Sequence, residues 1–164
     1  MKLSPLPPLP PIFNSFLSAL ETNYSQFKFY PSSRFRFHPP KTIYYELPIP
    51  PISDQDIPLQ FQSFAMQLLH ELGHALSNHN SYQLSIDRLK KETEAWQSAK
   101  KVFALHPEWT KKYPFHYDQN FVELHLDTYR HWLHQKSVCK NCGLTRFQNQ
   151  SGQWICPHCH LLSQ

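Results

Sequence analysis

Fifteen prolines are spread over this 164-residue chain, and they decide where helices can form. A proline inside a helix removes a hydrogen bond and collides with the preceding turn, at a cost of about 3 kcal/mol. From Leu59 to Asn78 there is no proline, and from Ile86 to Ala104 there is neither proline nor glycine. Both windows are predicted helices. In the first, Phe61, Phe64, Ala65, Leu68, Leu72, Ala75 and Leu76 recur at three- and four-residue steps and mark one apolar face. Gln60, Ser63, Gln67, His70, Glu71, His74, Ser77 and Asn78 fall on another. A helix of this kind suits the floor of a cleft.

His70-Glu71-Leu72-Gly73-His74 matches the pattern H-E-x-x-H. Residues four apart share one helical face, so His70 and His74 can present two imidazoles to one metal. Glu71 beside them can hold a water and act as general base, the zinc metalloprotease arrangement, which needs a third protein ligand. The bland alternative is a surface helix with two solvated histidines. Gly73 argues against it, because glycine costs about 1 kcal/mol in an ordinary helix interior and implies close packing or ligand approach. A glycine three residues after the second histidine and a histidine six after would complete another ligand pattern, but Ser77 and Asn80 stand there. His79 lies about 140° round a continuing helix. It can bind only if the helix breaks early, and no glycine is placed to break it. In the second window Ile86, Leu89, Trp96, Ala99 and Phe103 form an apolar face that contains Glu92, whereas Glu94 lies on the solvated side. A carboxylate among apolar groups is costly unless paired or metal-bound. Glu92 is therefore the predicted third ligand, with a salt bridge to a lysine or arginine as the alternative.

H-E-L-G-H, then seventeen residues, then Glu92-Thr93-Glu94-Ala95-Trp96 resembles the gluzincin layout of H-E-x-x-H and E-x-x-A on successive helices. Over roughly residues 40 to 105 the chain is similar to the ImmA/IrrE family of small cytoplasmic metallopeptidases, which act on repressor-type proteins. The resemblance implies a zincin-like core, His70, His74 and Glu92 as zinc ligands, and Glu71 as base. It also implies a strand that runs along the cleft just before the active helix, here residues 42 to 47. A second resemblance, to SprT-like proteases that act on DNA-bound proteins, rests on the same helix and a carboxy-terminal zinc ribbon. That family's third histidine is missing, and Glu92 stands in its place with Trp96 kept.

The remainder is read in order. Residues 1–11 are a Pro-rich, extended leader. Its prolines interrupt the apolar run, so no secretory signal is expected. No stretch approaches the ~20 apolar residues of a membrane span. Ile12, Phe13, Phe16, Leu17, Leu20 and Tyr24 predict a helix over 12–29. Arg34–Phe37 and Thr42–Leu47 predict a short antiparallel strand pair, and 48–58 a Pro-punctuated loop. His106, Trp109, Tyr113, His116 and Tyr117 are candidates to steady an oxyanion. Asp118 is a predicted N-cap for a helix from Gln119 to about Gln135, on which His125, His131 and His134 read as surface residues.

Cys139-x-x-Cys142 and Cys156-x-x-Cys159, with thirteen residues between, predict a four-cysteine zinc ribbon. Two disulfides are the alternative. Paired C-x-x-C spacing points instead to a reducing cytoplasm. A closed four-thiolate site makes that zinc structural. Lys136, Lys140, Arg146, Phe147 and Trp154 there can dock DNA or a protein. The net charge of +4 permits an acidic partner without requiring one.

The expected architecture is α+β: a Pro-rich leader (1–11), a zincin-like core of short antiparallel strands and about four helices (12–135), and a zinc ribbon (136–164). The expected function is a zinc metallopeptidase acting on a protein or peptide, with one catalytic and one structural Zn2+ and no membrane partner. The alternatives are the SprT-like reading and a non-catalytic zinc-binding regulatory module.

Overall fold

The computed structural model describes residues 9–48, 55–81, 83–160 and 162–163. Most of the Pro-rich leader, residues 49–54 of the predicted Pro-punctuated loop, and Tyr82 lie outside them.

Helix α1 spans Pro11–Asn23 and buries Phe13, Phe16, Leu17 and Leu20, the i, i+3, i+4, i+7 stripe of an amphipathic helix. Pro11 occupies its first turn, where no backbone donor is lost. The helix predicted over 12–29 is thus too long. Residues 28–32 form strand β1 instead, in keeping with the β-formers Phe29 and Tyr30. Pro31 fits there because β1 is an edge strand.

Strands β2 (Arg36–His38) and β3 (Thr42–Glu46) are antiparallel, as expected. β1 runs parallel to β3, so the sheet is mixed, in the order β1-β3-β2. The expectation that residues 42–47 edge the cleft is therefore corrected. β3 is hydrogen-bonded on both sides, and the edge strand that reaches the cleft is β2.

Helix α2 (Ile57–Leu76) packs on this sheet and on α3 (Ser85–Leu105). Short α4 (Trp109–Lys112), which fits between Pro107 and Pro114, was not anticipated. It seats Trp109 against Phe16, which also meets Phe61, Tyr113 and Phe115 edge-on. Helix α5 (Gln119–Ser137) starts where predicted. Asp118 accepts hydrogen bonds from the amides of Asn120 (2.8 Å) and Phe121 (3.2 Å). Ile86, placed on the apolar face of α3, is about half exposed; Ala95 and Val102 are buried in that helix.

The ribbon carries β4 (Phe147–Gln148) antiparallel to β5 (Trp154–Ile155), with β6 (Leu162–Ser163) as a third strand. It rests on the α2–α3 connection. Gln148 Oε1 accepts from the Ser85 amide at 2.7 Å, and Gln83 Nε2 donates to the Gln150 carbonyl at 2.7 Å. The chain is α+β, with five helices among the described residues, short strands and a carboxy-terminal ribbon. No described helix is long and apolar enough to cross a membrane.

Candidate metal centre

The two long helices cross at Gly73. A Cβ built there would lie 2.1 Å from the Ala95 carbonyl oxygen, so glycine is present for close packing of α2 on α3. This contact brings Glu92, one turn before Trp96, under the two histidines of α2. His70 Nε2 and His74 Nε2 stand 3.2 and 3.3 Å from Glu92 Oε2. His70 and Glu92 are 6% and 8% exposed, which excludes the solvated-histidine reading. Trp96 lies flat against His70, with ring centroids 4.3 Å apart, and fixes the plane of that imidazole.

The donor set fits zinc. Tetrahedral N and O ligands about 2.0–2.1 Å from the metal stand about 3.3 Å from one another. His70 Nε2 is buried and makes no hydrogen bond of acceptable geometry, although Glu92 is close. Ligand-capable atoms of His70, His74 and Glu92 all lie within 4.8 Å of one another. Burial alone would raise the Glu92 carboxyl, but the close approach and charge of the His70 and His74 imidazoles hold it well below the usual range. Among the described residues the ion pairs of Glu92 are with His70 and His74.

His79 is buried beside the cluster, contrary to the helix-continuation argument. α2 stops at Leu76, and Asn78 takes a left-handed conformation (φ 51°) that turns the chain back. His79 then meets His74 from behind, Nδ1 to Nδ1 at 2.8 Å, and its Nε2 lies 3.1 Å from Glu94 Oε2. It contacts His74 on the ring nitrogen remote from Glu92. Glu94, expected to be merely solvated, holds it there.

The cluster opens into a cleft of about 410 Å3 lined by Glu71, by Phe35, Arg36 and Phe37 around β2, by Arg88 and Lys91 of α3, and by Tyr129 of α5. None of the five residues named as oxyanion candidates lines it. Tyr113 bonds to Ser15, Tyr117 donates to the Trp96 carbonyl, and His106 meets Tyr24 and Glu108. Sequence reasoning missed Tyr129. Burial first, and then the negative charge of Glu92, push its phenol up to about 12, so it remains protonated. His125 is half-buried rather than a surface residue. Its ring lies 5.6 Å from Trp96 and 6.5 Å from His70, centroid to centroid.

The four cysteines of the ribbon converge as free thiols, which sets aside the disulfide alternative. Cys142 and Cys156 Sγ atoms are 3.6 Å apart, and thiolates about 2.3 Å from a tetrahedral zinc stand roughly 3.8 Å apart. The two knuckles share a design. The Gly143 amide donates to the Cys139 carbonyl and the His160 amide to the Cys156 carbonyl, both at 2.8 Å. Gly143 and His160 both adopt positive φ to do so. Backbone amides of Cys142 and Asn141 pull the Cys139 thiol down to about 6, which favours the thiolate that binds metal.

Residues 135–164 match the family described as the zinc-finger of RNA-polymerase I-specific TFIIB, Rrn7. No curated protein and no solved structure matches the chain. The chain is thus a zinc-binding protein through its ribbon.

Proposed function

We propose that the chain is a zinc-dependent metallopeptidase with a zincin-like core. The observation that carries this reading is the convergence of His70, His74 and Glu92 at the floor of an open cleft that Glu71 also lines. Bound there, zinc lowers the pKa of water toward ~7 and polarises a carbonyl. The chain's own groups do the rest. Glu71 takes the proton of the attacking water and passes it to the leaving amine. Tyr129, kept protonated, donates a hydrogen bond to the oxyanion that forms on the substrate carbonyl. β2, an edge strand beside the cleft, offers backbone groups to an extended peptide. The resemblance to ImmA/IrrE proteins supports the same roles.

The test is Glu71→Gln. It removes the base and leaves the three ligands, so zinc content is retained and peptide hydrolysis falls by about 10^2–10^4. Full activity in that variant sinks the mechanism.

A second reading, a regulatory module that binds zinc without catalysis, is favoured by the family match, which lies in the ribbon alone. It predicts nucleic-acid or protein binding through the ribbon and no hydrolysis by wild type. The SprT-like reading predicts hydrolysis that depends on added DNA.

A further inference from the structure

Three cations line the cleft and take no part in the proposed chemistry. Arg36 comes from β2, and Arg88 and Lys91 from α3. Arg88 is four residues before Glu92, so it shares that face of α3, one turn nearer the N-terminus. The Arg36 guanidinium lies 4.4 Å from the centroid of the Tyr44 ring. The Lys91 ammonium donates to the carbonyls of Asn80 (3.2 Å) and Ser81 (2.8 Å). Both contacts are to neutral groups. They fix the positions of the charges without cancelling them, and they use two of the three ammonium donors of Lys91. Glu71 and Glu92 are the carboxylates in the same lining. With a zinc dication at the ligands, positive charge dominates, in a groove whose aromatic walls strengthen the field.

We propose that this cleft selects peptides with an aspartate or glutamate beside the scissile bond, and that Arg36 and Lys91 determine that specificity. The inference rests on the peptidase reading of the same site. An incoming carboxylate gains charge-assisted hydrogen bonds from these two residues, which are stronger than neutral ones. A lysine or arginine at that position is repelled.

The test uses two peptide hydroxamates that differ only by glutamate or glutamine beside the zinc-binding group. Each is titrated by calorimetry into the full zinc-loaded chain, as wild type, Arg36→Gln and Lys91→Gln, with zinc content verified first. Wild type binds the glutamate form about tenfold tighter, the scale of one charge-assisted bond. That advantage shrinks in each variant and weakens with added salt. Equal binding of the two compounds by wild type overturns the specificity and leaves the open zinc site standing. An undiminished preference in both variants overturns the roles of Arg36 and Lys91. Binding of neither compound overturns the peptidase reading and the specificity with it.

Discussion

His74 Nδ1 and His79 Nδ1 stand 2.8 Å apart, and His79 Nε2 lies 3.1 Å from Glu94. If His74 keeps its Nε2 lone pair for a metal, its Nδ1 carries the proton and donates to His79, which donates in turn to Glu94. Burial holds the His79 pKa below its ordinary value, consistent with a neutral acceptor. Removal of such an outer partner typically costs 10–100-fold in metal affinity. His79→Ala should weaken zinc binding at the histidine site by about that factor in a chelator competition. An unchanged affinity means that His79 does not orient His74.

Glu92→Ala should remove one zinc of two by elemental analysis, leaving the ribbon loaded. Unchanged zinc content means that Glu92 is not a ligand.

Gly73→Ala should be among the most damaging single-methyl changes in the core. The helical propensity gain of about 1 kcal/mol is opposed by a Cβ 2.1 Å from backbone, and overpacking of this kind typically costs 1–3 kcal/mol or more. Thermal unfolding should show a lowered Tm, and the variant should lose zinc because α3 is pushed from α2. A Tm at or above that of wild type refutes the close crossing.

Acid should destabilise the zinc-free protein through Glu92. Its folded pKa lies below the ordinary 4.5, so the unfolded chain binds more protons and stability falls as pH falls beneath that value. The contribution is complete above about 4.5 and is lost as pH drops toward the folded pKa. Urea unfolding at about pH 6 and about pH 3 should show this slope, and Glu92→Gln should flatten it.

Cys156→Ser should unfold the ribbon and release its hold on the α2–α3 connection. Hydrogen exchange should then rise at the Ser85 amide, which donates to Gln148 of the ribbon, while α2 stays protected. Unchanged exchange there means that the ribbon is not what protects the connection.

The convergence of His70, His74 and Glu92 is legible in the sequence because helical periodicity alone aligns His70 with His74 and marks Glu92 as a carboxylate among apolar neighbours. What periodicity cannot carry was lost. His79 depends on a left-handed Asn78, a conformation asparagine tolerates but does not announce. β1 was read as the tail of α1, since Phe27, Phe29 and Tyr30 fit either element until Lys28 pairs with Thr42. Tyr129 reaches the cleft only because α5 packs on α3, a tertiary fact. Gly73 was noticed as odd, but its neighbour Ala95 lies on another helix.

The crossing of α2 on α3 also bears on the order of assembly. His70 and Glu92 are 22 positions apart in the chain, and the loop between their helices is short, so little closure entropy opposes their meeting. The ribbon knuckles are similarly near neighbours in sequence. Contacts this local form early in folding. The His70–His74–Glu92 cluster and the four-cysteine cluster can therefore each take shape within their own stretch of chain.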